Sequence, residues 1–594
     1  MAVPYAELSV TVPRKNASLM TRAVRARPQR PFPLSWLRGA GLVPPTALPR
    51  AAAARGAVAL ALPLLVGVGT GWTVLSVIAA VGALWGVGQD GADPYWSRVR
   101  RLSWMGLAAA MGLIAGELAL RSGQSTVVTV CLVAAAFAAG LIGLRGRVAS
   151  VAGMHLLLGA VIGSGIPVPG PWWHAPLALL TGVALVLVLS TAPWLWRRHR
   201  IERAAVLAVY GAAAEALAAA GTPAAEGARR RLTDALDHAH DVMARHLGPG
   251  PRRPGRAELV QLVRALHLAV RLGEAVTTLL WQARPLAPTV TNVPLLMARR
   301  LLPERGGTAA GAAAPDFEPD SPGLRALAAV HAGAEHDRVD EPAPRLPARA
   351  RTGRPAHLRY ALLLALCVLV TQLCALALDS PRGYWLPMTV AFVYKPDFGP
   401  VLGRALHRCV GTVIGVAAIG AVSLLTDSTY AFIGVVAAFG ALMAVGVRHH
   451  YAVATTGLTA VVFVLLDLLG DHRALYGPRI LDTALAAAVV LVAHFAAWPE
   501  SAADRADERT EAALAAARRY RDLAPYVGSA ERQGLRRAAY RELAEARRAA
   551  AHARREPSRP GRPLPEWEQT VTTAEQLCDA VTARSLQGGH AQGN

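Results

Sequence analysis

The chain is short of charge, of cysteine and of aromatic residues, and each shortage removes a class of protein. Only 17% of its 594 residues are charged, while 53% are hydrophobic; a typical soluble protein carries about a quarter charged. The apolar residues cluster, with long uncharged runs alternating with dense Arg-rich stretches, so a soluble fold is excluded. Five cysteines (Cys131, Cys367, Cys374, Cys409 and Cys578) show no metal-ligand spacing. Cys131, Cys367 and Cys374 fall in apolar runs, where cysteine acts as a small hydrophobe, so neither a disulfide framework nor a metal site is expected. No Gly-x-x-x-x-Gly-Lys-Ser/Thr loop occurs, which excludes ATP as the energy source. No serine or cysteine sits in a nucleophile motif, so the chain is not expected to be an enzyme, and no cofactor is implied. Residues 1–50 are basic and Pro-rich and lack the apolar core of a signal peptide; the first span is expected to direct insertion.

The apolar runs make two blocks. The first offers spans at about 56–70, 72–88, 103–120, 125–143, 149–166 and 173–195, the second at about 359–378, 383–395, 405–425, 430–447, 451–468 and 480–498. Each reaches or approaches the ~20 helical residues that a hydrocarbon core requires. Arginines gather in alternate loops: Arg50 and Arg55, then Arg98, Arg100 and Arg101, then Arg145 and Arg147, then Arg197, Arg198 and Arg200. Segment 166–174 carries no Lys or Arg. Arg351, Arg354 and Arg359, then Arg404 and Arg408, then Arg448, repeat the pattern. By the positive-inside rule both termini and the central segment lie in the cytoplasm, in a multi-pass cytoplasmic (inner) membrane protein. The tryptophans Trp172, Trp173, Trp194 and Trp196 mark the two ends of one span. The net charge of +22 follows loop position without an aromatic-interleaved patch, so nucleic acid is not the expected partner.

The polar segments repeat as well. Helices near 200–220, 225–246 and 256–283 follow the sixth span, and helices near 502–523, 530–554 and 565–586 follow the twelfth, with Arg559-Pro560-Gly561-Arg562 before the last. The third helices share a phrase, Gly273-Glu274-Ala275-Val276-Thr277 against Cys578-Asp579-Ala580-Val581-Thr582. The expected fold is therefore all-α, with about twelve transmembrane helices in two six-span halves, each followed by a cytoplasmic helical module. The boundaries are 1–50 for an N-terminal segment, 51–196 and 357–499 for the membrane halves, 197–301 and 500–594 for the modules, and 302–356 for a flexible linker. Internal duplication is recurrent in transporters, which alternate access by moving one part against another.

The most specific stretch is Gly383 to Gly415. A short apolar segment contains Pro387, read as interrupting it, and ends at Lys395-Pro396-Asp397. Arg404, Arg408, Gly411 and Gly415 then share one helical stripe. Two guanidinium groups one turn apart attract a carboxylate, and Arg binds planar anions bidentately. Topology alone also calls for arginines at that end of a span. The glycines admit a neighbouring helix, and a Pro-interrupted span frees backbone groups to line a cavity. The first half carries Gly112 and Gly116 without the matching Arg spacing.

The order Trp385, Thr389, Pro396, Phe398, Gly399, Arg404, Arg408, Gly411, Thr412 and Gly415 resembles the fusaric acid resistance family, which includes aromatic carboxylic acid efflux proteins. The likeness is tight over about 380–425 and loose elsewhere. It implies efflux of small aromatic or organic acids across the inner membrane, driven by the proton gradient, and adds Trp385, Thr389 and Thr412 to the substrate path. The first half departs from this pattern, its Arg/Gly signature being degraded, so one working half and one scaffold are expected in place of two equivalent sites. A gated anion channel and a non-transporting scaffold with partner-binding modules are the alternatives, and assembly as a homo-oligomer stays open. Ionisable residues inside spans supply candidates for a proton relay: Glu117, which has Arg121 beside it, and His155 and His494, each of which could equally be bonded to neighbouring backbone. Asp467 and Asp482 are read as solvated ends of an external loop. Asp234, Asp237, His238 and Asp241 form an acidic stripe, read as solvated, with a divalent-metal face as the alternative.

Overall fold

The computed structural model describes residues 49–91, 93–195, 199–247, 257–302, 317–333, 354–380, 382–395, 401–470, 476–497, 502–554 and 566–588. The N-terminal segment to residue 48, Trp196 to Arg198, Arg351, Pro396 to Gly399 and Arg559 to Arg562 lie outside them. The described residues contain helices and no strand. The first membrane half comprises α1 (Arg50–Thr70), α2 (Thr73–Gly88), α3 (Tyr95–Arg121), α4 (Ser125–Gly143), α5 (Arg147–Gly165) and α6 (His174–Thr191). The first module follows as α7 (Arg200–Ala218), α8 (Ala225–Leu247), α9 (Ala257–Trp281), α10 (Pro288–Thr291), α11 (Val293–Leu301) and α12 (Pro322–Gly333). The second membrane half holds α13 (Arg354–Ala377), α14 (Trp385–Val393), α15 (Val401–Ser423), α16 (Thr429–His449), α17 (Tyr451–Asp467) and α18 (Tyr476–Ala497). The second module is α19 (Ala502–Leu523), α20 (Ser529–Ala553) and α21 (Trp567–Gly588).

The protein is an all-α polytopic membrane protein. Nine of the described helices are long and apolar enough to cross a bilayer. Three of the twelve expected spans are shorter: α2 has 16 residues, α17 has 17 and α14 has nine. At 1.5 Å per residue α14 is about 13.5 Å long, less than half of a ~30 Å hydrocarbon core. Pro387 does not interrupt it. The proline lies in the first turn of α14, where its missing N–H is not needed for the helical ladder. The helix instead ends at Val393, two residues before Lys395.

In lipid, apolar area does not drive helices together, and close backbone approach takes its place. Gly112 and Gly116 of α3 face the backbone of Leu156, Ala160 and Ser164 on α5, and Gly159 and Gly163 return the contact against Ala109 and Leu113. A Cβ at any of the four would collide with a carbonyl. Helices α15 and α17 meet in the same way, with Gly411 and Gly415 against Thr455 and Thr459. The other pairings repeat too: α2 with α6 and α14 with α18 within the halves, α1 with α16 and α13 with α4 between them. The two halves are thus related by an approximate two-fold arrangement.

The modules also differ in places from the sequence reading. Residues 302–356 are not wholly a linker, because α12 buries Leu327 and Val330 in the core of the first module. The acidic stripe of α8 is solvated at Asp234 and His238, while its other two members meet arginines. Asp241 accepts from Arg541 at 3.0 Å and Asp237 lies 3.8 Å from Arg537, both on α20. Among the described residues no group of three or more His, Cys, Asp or Glu converges as a metal site. Across the interface of the modules, Arg229 and Arg230 of α8 and Arg547 of α20 converge on Glu575 of α21.

Two outcomes follow. Gly159→Leu forces α3 and α5 apart and should cost at least about 2 kcal/mol, read as a lower melting temperature in detergent. Gly434→Leu, where a side chain meets nothing, should be neutral. Burial pushes the Asp237 carboxyl up to about 6, against the pull of Arg537 and Arg541 and with a further push from Asp241 and Asp234. The folded state therefore binds this proton more tightly than the unfolded chain, and the group costs stability as pH rises from about 4 to about 6. Asp237→Asn mimics the protonated form. Its unfolding free energy should match the wild type below pH ~4 and exceed it by up to about 3 kcal/mol above pH ~6.

Candidate functional site

Where α14 runs beside α15 and α18, two arginines enter the apolar interior. Arg408 of α15 is 1% exposed and Arg479 of α18 is 2% exposed. The Arg408 guanidinium lies 4.6 Å from the centre of the Phe392 ring, and that of Arg479 lies 5.0 Å from the Trp385 ring. Trp385 and Phe392 stand seven residues apart on α14, on one face and about 10.5 Å along its axis. The two cations are therefore spaced along one side of a short helix.

Neither arginine has an ion-pair partner among the described residues. Nε and Nη1 of both lack any hydrogen-bond acceptor, as the Trp385 indole Nε1 does. Tyr451 offers its hydroxyl oxygen to the Arg408 guanidinium. Arg479 has Asp482 one turn along α18, which accepts from Ser380 Oγ at 3.4 Å. Cation–π contact offsets part of the cost of burying such charges, but the desolvation penalty is several kcal/mol per ion. Both arginines line a single cavity of about 60 Å³, together with Trp85, Tyr384, Trp385 and Phe392 and aliphatic side chains of α2, α5 and α17. The Thr459 hydroxyl, also without a partner, completes the polar wall. Unpaired N–H donors within an aromatic lining suit a planar anion that carries its own ring.

The structure divides the sequence-derived candidates. Arg408 and Trp385 are in the cavity wall. Arg404 is not: its Nε donates to the Val393 carbonyl at 3.1 Å, where it caps the end of α14. Gly411 and Gly415 pack α15 on α17. Thr412 is buried with a free hydroxyl, and Thr389 donates to the Trp385 carbonyl at 2.9 Å; neither lines the cavity. Pro387 starts α14. Of the relay candidates, Glu117 is buried and paired with Arg121. His155 Nδ1 donates to the Val151 carbonyl at 2.8 Å, and its ring meets Trp85, a cavity residue, edge-on at 5.4 Å. His494 packs against Tyr394 at 6.1 Å. Asp482 is not a solvated end, being only 4% exposed. Pro396, Phe398 and Gly399 lie outside the described residues.

Sequence reasoning missed Arg479, which falls at the edge of an apolar run and reads as a flanking loop residue. The available signal was an arginine at the end of a span where the positive-inside rule calls for none, one turn before an aspartate. The first half offers no counterpart of either cation. Matching Gly112 and Gly116 to Gly411 and Gly415 sets Ala109 opposite Arg408. Matching Pro176 and Thr181 to Pro478 and Thr483 sets Leu177 opposite Arg479.

Replacing an uncompensated buried charge with an apolar side chain of similar length relieves desolvation. Arg479→Met should therefore raise the melting temperature of the ligand-free protein, corresponding to about 1–4 kcal/mol. The same variant should lose the quenching of tryptophan fluorescence by benzoate that Trp385 in the wall gives the wild type. A variant less stable than wild type would show that Arg479 is paired in solution.

Residues 360–493 match the family described as fusaric acid resistance protein-like, which covers α14, α15 and α18 to His494's neighbour and hence both arginines. The uncharacterized membrane protein YvaC of Bacillus subtilis is 25% identical over 473 residues, 75% of this chain and 72% of its own length. An uncharacterized protein of Haemophilus influenzae is 29% identical over 138 residues, 23% of this chain and 19% of that protein. The inner membrane protein YccS of Escherichia coli is 29% identical over 119 residues, 20% of this chain and 17% of that protein. No solved structure matches the chain. Over residues 360–493, within its second membrane half, the chain is similar to the fusaric acid resistance protein-like family.

Proposed function

We propose that the protein carries small aromatic or other organic acids across the inner membrane, outward from the cytoplasm, through the cavity between α14, α15 and α18. The observation that carries this reading is the pair of buried arginines without a carboxylate partner on one aromatic-lined wall. An anion entering the cavity supplies the missing charge to Arg408 or Arg479, and its ring replaces water against Trp85, Tyr384 and Phe392. The two cations, two helical turns apart along α14, let the carboxylate pass from one to the other without losing a counter-charge.

The family's description names resistance to an acid, which fits export of a carboxylate. Arginines concentrated in alternate loops support an orientation with both termini and both helical modules in the cytoplasm. Arg408 then faces the cytoplasmic half of the path and Arg479 the outer half. Proton coupling would run through His155, the relay candidate whose ring touches the cavity wall, with Glu117 and His494 as residues of local packing.

The test is efflux of radiolabelled benzoate from loaded cells at equal membrane abundance of each variant. Arg408→Gln and Arg479→Gln should each slow efflux at least about tenfold, the loss expected for a charged hydrogen bond. Arg404→Gln should retain most of it. Collapse of the proton gradient should stop wild-type efflux, whereas a voltage-dependent current that survives collapse would point to a channel. Equal rates in wild type, both cavity variants and empty cells would exclude this substrate class.

A further inference from the structure

The interface between the modules holds a second pair of arginines with unused Nε donors, and the repeat explains what is missing there. The shared phrase aligns Gly273–Thr277 of α9 with Cys578–Thr582 of α21, and the double arginines align Arg229-Arg230 of α8 with Arg536-Arg537 of α20. The contacts obey this register. Arg229 crosses to α21, where its Nε lies 3.1 Å from Asp579. Arg536 crosses to α9, where its Nη2 donates to the Thr277 hydroxyl at 3.1 Å. Both guanidinium groups lie over the Tyr540 ring, at 5.7 and 5.2 Å.

One position breaks the correspondence. Glu575 of α21 receives Arg229 Nη2 at 2.6 Å, Arg230 Nε at 3.3 Å and Arg547. In the same register its counterpart on α9 is Val270, and the counterpart of Arg547 is His240. Val270, His240, Arg536 and Arg537 all line a cavity of about 80 Å³ between α8, α9 and α20. Arg536 is 9% exposed, and its Nε, like that of Arg537, lacks any hydrogen-bond partner. The carboxylate among the described lining residues is Asp237, 3.8 Å from Arg537. Where Arg229 and Arg230 meet Glu575, their counterparts Arg536 and Arg537 meet a valine, and the carboxylates near them are Glu274 and Asp579 beside Arg536 and Asp237 beside Arg537.

We propose that this cavity binds a small carboxylate, held by Arg536 and Arg537 as Glu575 is held by Arg229 and Arg230, and that the bound anion locks the two modules together. The available volume admits a carboxylate with a short substituent. The ligand competes with Asp237 for Arg537 and takes the unused Nε of Arg536. Transported acid and any other short carboxylate share this chemistry, so the site lets the modules respond to carboxylate concentration on their side of the membrane. The inference does not depend on the transport reading.

The experiment uses full-length protein in detergent with Arg408→Gln and Arg479→Gln already in place, so that the membrane cavity is silent. Melting is followed against sodium acetate, with sodium chloride at equal ionic strength as control. A saturable rise with acetate alone is expected. Val270→Glu, which supplies the carboxylate from the chain itself, should raise the melting temperature without acetate and abolish the response. Arg536→Gln should abolish the response without that gain. Benzoate in place of acetate distinguishes a site open to aromatic cargo from one restricted to short carboxylates. No acetate response in the parent, or a response that survives in both Val270→Glu and Arg536→Gln, would overturn the proposal.

Discussion

A guanidinium group cannot be left uncompensated in an apolar interior without a cost of several kcal/mol, and the architecture is organised around where that cost is removed and where it is kept. At several other places the chain meets it with carboxylates. Asp90, in the α2–α3 connection, is paired with Arg55 and Arg98, and Asp93 with Arg101 and Arg147. Glu117 has Arg121, and Glu575 has three arginines. Against that background Arg408 and Arg479 stand out because acids are available in this protein and are not placed against them. Asp482, one turn from Arg479, is engaged with Ser380 instead.

The duplicated halves show how one copy came to differ. Both are built on the same close helix contacts, with glycines of α3 and α5 in the first and glycines of α15 against threonines of α17 in the second. The first half has Ala109 and Leu177 at the positions of the two cavity arginines, and its α2 runs 16 residues where α14 has nine. The first half thus has a longer helix with apolar neighbours, and the second a shorter one, ended at Val393 and flanked by two cations. The modules repeat this logic with the roles reversed, since the second supplies Glu575 where the first has Val270. In both places the departure from symmetry, and not the symmetry itself, locates the chemistry.

How much of this the sequence disclosed depends on the range of the interaction. Hydropathy marks the membrane segments because exclusion of water acts on local composition, and the stretch around Trp385 and Arg408 was distinctive enough to be recognised. The split between Arg404 and Arg408 was not legible: both sit on one stripe, and which of them enters the cavity depends on where α14 ends. Arg479 was missed because its partner ring, Trp385, lies far back in the chain. Asp237 and Asp241 looked solvated because the arginines that meet them lie some 300 residues on. The helix α12 escaped because its apolar residues are few, and its order comes from packing on the first module and not from its own periodicity.

The same pairing of charge also separates what holds still from what can move. The α2–α3 connection is tied by its two aspartates to α1, α3 and α5, and Arg448 of α16 reaches the Asp90 carbonyl at 3.4 Å, so one half is pinned to the other at the end where the modules emerge. Among the described residues helix α14 has no ion pair of its own: its end is held through the Arg404 contact with Val393, the Tyr360 hydroxyl bond to the Tyr394 carbonyl at 2.8 Å and the Tyr451 hydroxyl bond to the Phe392 carbonyl at 3.4 Å. A rearrangement that opens the cavity therefore costs less at α14 than in the first half, where several buried ion pairs would have to break together. An anion that neutralised Arg408 of α15 or Arg479 of α18 would change the energy of the contacts these helices make with Phe392 and Trp385 of α14. That is the differential contact a ligand needs in order to shift a conformational equilibrium.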